Sequence, residues 1–230
     1  MICLKSHVLC YNESMKNISI LKIYKNGFTL AEVLITLVII GVIAAMTIPT
    51  MINNLQKNEL RSQFKKQVSV ISQVIQKMKI DNGDIIYISD NDSVTDFRNR
   101  FIGYFSVICK NNCVDVSKYR NYINKNDDAI GYISSNSFIT SDGASYAFHK
   151  GSSGNIYVTV DVNGPGKKPN RWGYDTFTFY IPVNSTSHVF QPCGIGKPAD
   201  MKCNSTATSH NGAGCTEKAL SDANYFKNLP

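Results

Sequence analysis

The chain has 230 residues and a formal net charge of +7, with 43% apolar and 18% charged residues. No long linker or internal repeat divides the sequence, which favours a single folded head and excludes a repeat architecture. The lysines and arginines are scattered along the chain, which favours a solvated basic surface over a dedicated nucleic-acid-binding face.

An apolar run from Phe28 to Ile48 follows a basic N-terminal segment and contains one charge, Glu32. As a helix this run spans roughly 31 Å, the thickness of the hydrocarbon core of a bilayer. The positive-inside rule places the lysine-bearing N-terminus in the cytoplasm and the chain after Pro49 outside. A cleaved secretory signal is the alternative, but its apolar core is shorter, about 7–15 residues. The run therefore predicts one membrane span, residues 28–49, and an exported head.

The residues around the start of this run have a characteristic order, in which Gly27 is followed by Phe28-Thr29-Leu30 and then by Glu32. This order resembles the prepilin signature of type IV pilins and type II secretion pseudopilins. The resemblance implies that a prepilin peptidase cleaves after Gly27 and methylates the new amine of Phe28. It also implies that Glu32 faces the N-terminal amine of a neighbouring subunit. That contact would compensate a carboxylate that costs about 2.5–3.5 kcal/mol inside a membrane.

The function implied by the resemblance is that of a structural subunit of a type IV pilus or a type II secretion pseudopilus. Its partners would be copies of itself or related pilins in a helical filament, the prepilin peptidase and methyltransferase, and the inner membrane before assembly. Two alternatives stay open: a minor subunit whose head binds DNA or a surface, and a membrane-anchored exported domain that never polymerises. DNA is the less favoured partner.

The leader that the resemblance implies is residues 1–27, which is long for this family. Met15 offers a second start, from which the segment to Gly27 is short and basic, as prepilin leaders commonly are. We expect residues 1–14 to be a start-site artefact. Peptides upstream of Met15 in the unprocessed precursor would contradict this expectation.

Beyond Pro49 the apolar residues recur at spacings of three or four, from Leu55 to Met78. This spacing predicts an amphipathic helix that ends near Asn82 and continues the membrane segment. We expect one long N-terminal helix over residues 28–82 and an exported globular head over residues 83–230.

The head begins with mixed signals and then changes to a strand pattern. A short apolar run covers residues 85–88, a helix is predicted from Ser93 as N-cap through about Val107, and a polar loop covers 124–128. Strands are predicted over 138–141, 144–149, 156–162 and 174–181, and alternation over 176–180 predicts one buried face. The fold class is therefore α+β and pilin-like, with an antiparallel sheet packed on the long helix.

The C-terminal region is predicted as a loop rich in Gly, Ser, Thr and Pro over residues 191–215, followed by a short helix over 217–226. Five cysteines follow the leader, and in an exported domain they can oxidise. We favour the pairs Cys109–Cys113 and Cys203–Cys215, which would tether the C-terminal loop. Cys193 could replace either partner near the C-terminus, and zinc binding by the first pair is the weaker alternative.

The segment from Asp161 to Asp175 is the most site-like part of the head. Asp161, Asn163 and Asp175 offer hard oxygen ligands around a glycine turn, as calcium requires. The alternative is a turn capped by Asp and Asn without a metal. The positive charges of Lys167, Lys168 and Arg171 disfavour a bound cation, and no glutamate closes the loop as in an EF-hand.

Trp172, Tyr174 and Phe177 could form a surface on which the bases of single-stranded DNA stack, beside the basic residues of the same segment. Packing in the core accounts for the same aromatic residues. The histidines have no fixed partner pattern, and neither a G-x-S-x-G motif nor a P-loop occurs. We therefore assign no catalytic residues and expect that the protein is not an enzyme.

Overall fold

The computed structural model describes residues 27–81, 93–123, 125, 133, 136–151, 154–182, 189–197, 201–207 and 209–229. The chain divides into two compact units, the first ending at Ile48 and the second beginning at Pro49. The predicted apolar run 85–88 lies outside the described residues, as does most of the predicted loop 124–128.

The first helix, α1, covers Leu30–Asp81. The part of α1 that belongs to the first unit is apolar, and all but one of its side chains are exposed. By length and composition, α1 is able to cross a membrane. The predicted long N-terminal helix is confirmed, and it ends at Asp81.

The second unit has an antiparallel sheet whose six described strands follow one another in chain order. Each strand therefore pairs with its neighbour in sequence, so no crossover is needed. Two further α-helices have described bounds, α2 before the sheet and α3 after it, and a short 3-10 helix, Val116–Lys118, follows β1. The elements are α2 Val94–Ile102, β1 Val107–Cys109, β2 Phe138–Thr140, β3 Ser145–Lys150, β4 Ile156–Asp161, β5 Thr176–Ile181, β6 Gln191–Pro192 and α3 Cys215–Ser221.

Helix α2 is shorter than the sequence predicted. Ser93 is the N-cap, and its side chain accepts a hydrogen bond from the backbone N–H of Asp96. The helix ends at Ile102, where the N–H of Gly103 turns back to the carbonyl of Arg100 at 3.2 Å. Val107, predicted as the last helical residue, instead begins β1 and pairs with Thr140 of β2. The prediction of a helix through Val107 was wrong because this pairing joins residues far apart in sequence.

One face of the sheet packs against α1 and α2. The buried residues of α1 recur at helical spacing: Phe64, Gln67, Ile71, Val74, Ile75 and Met78. Phe64 lies 4.3 Å from Phe177 of β5 between ring centroids. Lys66 of α1 pairs with Asp142 at 2.7 Å, and Gln67 donates to the same carboxylate at 3.1 Å. The packing of the helix on an antiparallel sheet is thus confirmed. The ion pair and the hydrogen bond to Asp142 also connect α1 to the β2–β3 turn.

The opposite face of the sheet is also covered, which corrects the predicted single buried face over residues 176–180. A second core cluster contains Tyr119, Ala147, Tyr157 and Trp172. Thr178, on this face, is buried, and its hydroxyl accepts a hydrogen bond from the indole Nε1 of Trp172 at 3.1 Å. The threonines that suggested solvent exposure are therefore buried with their hydroxyl groups paired.

The C-terminal region folds back onto the core of the head. The last helix covers Cys215–Ser221, two residues earlier and five residues shorter at its end than the predicted range 217–226. Phe226 follows it in a turn and packs against Phe64, with the ring centroids 5.6 Å apart and the ring planes tilted by 48°. Lys57 of α1 donates to the carbonyl of Leu229 at 3.3 Å. The chain end is therefore held against the soluble half of α1.

Candidate functional site

The N-terminal turn of α1 contains a reciprocal pair of hydrogen bonds between Thr29 and Glu32. The backbone N–H and the hydroxyl of Thr29 donate to Oε2 of Glu32 at 2.8 and 2.7 Å. The N–H of Glu32 donates to the Thr29 hydroxyl at 3.2 Å. This is a capping box, in which a threonine and a glutamate three residues later satisfy each other's backbone donors. Only Oε2 is engaged, and Oε1 accepts no hydrogen bond from the described residues.

Gly27 and Phe28 precede this turn and are both exposed. A Cβ added at Gly27 would meet nothing within 4 Å, so the described fold does not require a glycine there. Phe28 is 88% exposed. The peptide bond between the two residues is therefore flanked by two exposed residues, which suits recognition by another protein.

The apolar surface that follows is continuous along the first unit. Its exposed side chains include Leu30, Leu34, Ile35, Leu37, Val38, Ile39, Ile40 and Ile43. Exposed apolar patches of this extent mark contacts with a membrane or with other proteins. Glu32 is the one charged residue on this surface, and it lies at the first turn of the helix.

Comparison with known proteins agrees with this geometry. Residues 23–48 match the family model of the prokaryotic N-terminal methylation motif. The matched range contains Gly27, Phe28 and Glu32, so the chain carries a type IV pilin-like prepilin signature. Searches of the curated proteins and of the solved structures found no significant match.

The structure encloses the two carboxylates of the candidate calcium site. Asp161 accepts hydrogen bonds from the Tyr119 hydroxyl at 2.6 Å and from the N–H groups of Asn163 and Gly164 at 3.3 and 2.9 Å. Burial and the nearby charge of Asp175 raise the pKa of Asp161 well above its usual range. The void beside Asp161 is too small to admit a water molecule.

Asp175 has a similar environment at the start of β5. Its oxygens accept hydrogen bonds from the N–H groups of Asn170 and Arg171 at 2.7 and 2.6 Å. Burial raises the pKa of Asp175 to about 6, although these hydrogen bonds lower it. Both carboxylates thus serve as acceptors for loop donors, while Oδ1 of Asn163 is buried without a hydrogen-bond partner in the described part of the chain.

Calcium binding by Asp161, Asn163 and Asp175 stays a prediction. Within the described ranges, His, Cys, Asp and Glu form no group of three that could hold a metal ion, and the predicted site has only two of these residues, with an asparagine as its third. A bound cation would have to replace N–H or O–H donors that already engage the carboxylates. These donors would have to move before the ligands became available.

The aromatic residues of the same segment do not form an open stacking surface. Trp172 is 1%, Tyr174 8% and Phe177 0% exposed. The guanidinium of Arg171 lies over the ring of Tyr174, 4.0 Å from its centroid. Stacking of nucleic-acid bases needs exposed ring faces, so these residues act in the core.

Two disulfides are present in the described head, Cys109–Cys113 and Cys203–Cys215, the pairs that the sequence favoured. The second joins the C-terminal loop to the first residue of α3. Cys193 is a buried free thiol, and burial raises its pKa. A raised pKa suppresses the thiolate, which is the reactive form, so this environment disfavours reaction of Cys193.

The capping role of Thr29 was not predicted from the sequence. The sequence feature that could have indicated this role is Thr29-Leu30-Ala31-Glu32, in which a threonine precedes a glutamate by three residues in front of an apolar helix, as in a capping box. The site therefore consists of two exposed residues, Gly27 and Phe28, a capped acidic residue and an exposed apolar helix.

Proposed function

We propose that the protein is a structural subunit of a type IV pilus or a type II secretion pseudopilus. The observation that carries this proposal is the prepilin signature over residues 23–48, which coincides with an exposed apolar helix that begins at Leu30. In this proposal a prepilin peptidase cleaves between Gly27 and Phe28 and methylates the amine of Phe28.

Before assembly the subunit is anchored in the inner membrane, with its N-terminus on the cytoplasmic side and its head, residues 83–230, exported. Lysines before the apolar run and the length of that run support this orientation. The exposed apolar side chains of α1 would be covered by lipid before assembly and by neighbouring subunits afterwards.

The capping box supports a specific role for Glu32 in assembly. Oε2 is held by Thr29, whereas Oε1 accepts no hydrogen bond from the described residues. A positively charged amine from Phe28 of a neighbouring subunit would pair with Oε1 without disrupting the helix cap. Because an unpaired charge is unfavourable in an apolar interior, this pairing would also select the register of each new subunit.

The test compares Glu32→Ala with Thr36→Ala in the host that produces the protein. Thr36 lies one turn further along the helix, and its hydroxyl donates to the carbonyl of Val33 at 2.9 Å, so its replacement removes polarity but no charge. We expect N-methylated Phe28 by mass spectrometry in the wild type, and loss of the sheared filament fraction in Glu32→Ala only. A folded head in Glu32→Ala would be verified by fluorescence of Trp172, the single tryptophan.

Two results would contradict the proposal. An unprocessed chain that keeps Gly27 in the membrane would exclude the prepilin pathway. A processed chain that forms no filament in the wild type would favour the alternative of a membrane-anchored exported domain.

A further inference from the structure

The loop between β6 and α3 presents one asparagine side chain at the surface of the head. Asn204 begins the triplet Asn204-Ser205-Thr206, and all three residues are exposed. An asparagine that is followed by any residue except proline, and then by serine or threonine, is the acceptor pattern for N-glycosylation of exported proteins. Among the residues that the structure describes, Asn204 is the only asparagine that begins such a triplet.

The two side chains that define the triplet lie next to each other. Oδ1 of Asn204 accepts hydrogen bonds from the backbone N–H groups of Thr206 and Ala207 at 3.1 and 2.7 Å. The hydroxyl of Thr206 donates to the same oxygen at 3.3 Å. Nδ2 of Asn204, the nitrogen to which a sugar would be attached, makes no hydrogen bond to the described residues. The turn therefore presents the amide beside the hydroxyl, and its hydrogen bonds leave the amide nitrogen unused.

A buried asparagine, Asn211, holds this turn from the inside of the head. It is 1% exposed, and its Oδ1 accepts a hydrogen bond from the N–H of Asn204 at 3.1 Å. Its Nδ2 donates to the carbonyls of Asn204 and Ala207 at 2.8 and 2.7 Å. The disulfide Cys203–Cys215 fixes the residue before Asn204. The backbone of the turn is thus attached to the head at both ends, while the side chains of the triplet stay at the surface.

We propose that Asn204 is a site of N-linked glycosylation, with a lipid-linked glycosyl diphosphate as the sugar donor. In this reaction the bond between the anomeric carbon of the sugar and the diphosphate oxygen breaks, and a bond forms between that carbon and Nδ2. The lipid diphosphate leaves with the electron pair, and Nδ2 loses one proton to the transferase, so no oxidant or reductant is required. Because the described contacts of Asn204 use Oδ1 and the backbone, the sugar can be attached without breaking them. The proposal rests on the export of the head under the proposed function.

The test is mass spectrometry of the full chain purified from the host that produces it. After reduction and alkylation, trypsin cleaves behind Lys202 and Lys218 and releases a peptide of residues 203–218, which contains both Asn204 and Asn211. We expect a sugar on Asn204, located by fragmentation that preserves the bond between the sugar and the peptide. Asn211 is the internal control in the same peptide, because it is buried and begins no acceptor triplet. N-methylated Phe28 in the same sample would report that the chain has been processed.

Four variants test the role of the triplet. Asn204→Gln should carry no sugar in this peptide. Thr206→Val, which keeps the shape of the side chain but loses the hydroxyl, is expected to reduce the modified fraction at least about tenfold. Thr206→Ser keeps a hydroxyl and should remain modified. Ser209→Ala removes a hydroxyl from the same loop outside the triplet, so it is the matched control and should be modified as the wild type is. Fluorescence of Trp172 verifies that each variant is folded.

The outcomes separate this proposal from the proposed function. An unmodified peptide 203–218 from a chain with N-methylated Phe28 would overturn the glycosylation proposal alone. An unprocessed chain that keeps Gly27 and carries no sugar would overturn both proposals. A sugar on Ser205 or Thr206 instead of Asn204, or an equal modified fraction in the wild type and Thr206→Val, would also overturn the assignment of Asn204 as an N-linked site.

Discussion

The buried carboxyl group of Asp175 predicts that the head loses stability as pH rises from about 4 to about 6. An aspartate in the unfolded chain has a pKa of about 3.8, and in the folded protein the pKa of Asp175 is raised to about 6, chiefly by burial. Between these values the folded state binds more protons than the unfolded state. The free energy of unfolding therefore falls with rising pH in this window and is independent of this group above it.

The size of the effect follows from the shift in pKa. A rise from 3.8 to about 6 corresponds to a loss of about 3 kcal/mol across the window. For a domain of this size such a loss lowers the melting temperature by about 6–12 °C. The pKa of Asp161 is also raised, so this neighbour acts in the same direction.

Asp142 and His149 also titrate near this window, and their contributions must be separated from that of Asp175. Burial raises the pKa of Asp142, but hydrogen bonds from Lys66, Thr140 and Gln67 lower it to about 2, so its contribution is lost only as pH falls below about 4. Burial lowers the pKa of His149, which makes stability rise with pH up to about 6.5 and opposes Asp175. The difference between the wild type and Asp175→Asn removes both contributions.

The assay is urea unfolding of the mature chain in micelles at pH 4, 5, 6 and 7, followed by Trp172 fluorescence. Trp172 is buried and is the single tryptophan, so its emission reports on the head. We expect Asp175→Asn to reduce the fall in stability between pH 4 and 6, with the contribution of Asp161 remaining, while Asp142→Asn keeps the whole fall. Identical pH profiles for the wild type and Asp175→Asn would refute the reasoning.

Three further predictions concern packing and the helix start. Phe64→Ala is expected to destabilise the head by about 3–5 kcal/mol in urea unfolding, because Phe64 is 1% exposed and its ring lies 4.3 Å from that of Phe177. Gly164→Ala is expected to cost at least about 2 kcal/mol in the same assay, since Gly164 has φ +83° and a Cβ would lie 2.0 Å from the carbonyl oxygen of Gly143. Thr29→Val should weaken the cap by about 1 kcal/mol and accelerate amide exchange in the first turn of α1, whereas Thr29→Ser keeps both hydroxyl contacts.

Each of these variants has a control in the chain. Leu55→Ala changes an exposed residue of the same helix as Phe64, and Gly166→Ala adds a Cβ that meets nothing within 4 Å. Both controls should unfold as the wild type does. Equal losses in Leu55→Ala and Phe64→Ala, or in the two alanine variants of the loop, would contradict the packing described above. Equal exchange rates in Thr29→Val and Thr29→Ser would exclude the capping role.

The local sequence was sufficient to predict the central strands but not the edges of the sheet. Strands β3, β4 and β5 have alternating or β-branched residues between glycine turns, and each is close in sequence to its partner. β1 and β6 have no such signal, since β1 has three residues and β6 two. These strands exist because they pair with β2 and β5, and a short segment does not carry information about a distant partner. The end of α2 was wrong for the same reason.

The covered second face of the sheet shows a related limit of the sequence pattern. Alternating threonine and phenylalanine in β5 predicted a polar, solvated face, yet Thr176 and Thr178 are buried. Their hydroxyl groups bond within the protein, since Thr178 pairs with Thr159 at 3.1 Å and accepts from Trp172. Threonine is compatible with both environments, because a hydroxyl is satisfied equally by water or by an internal partner. Only the loop that carries Trp172, which covers this face, distinguishes them.

The prepilin signature was predictable from the sequence because its residues lie close together in the chain. Gly27, Phe28 and Glu32 carry their signal in spacing alone, whereas the state of the Glu32 carboxylate required the structure. A charge with no partner would oppose residence in the membrane, and a charge with both oxygens satisfied would gain little from a neighbouring amine. Glu32 is between these limits, since Thr29 engages Oε2 and leaves Oε1 open. In the proposed filament, an acid held in this way would be tolerable before assembly and would still gain from the Phe28 amine of the next subunit, which would give polymerisation a direction and a register.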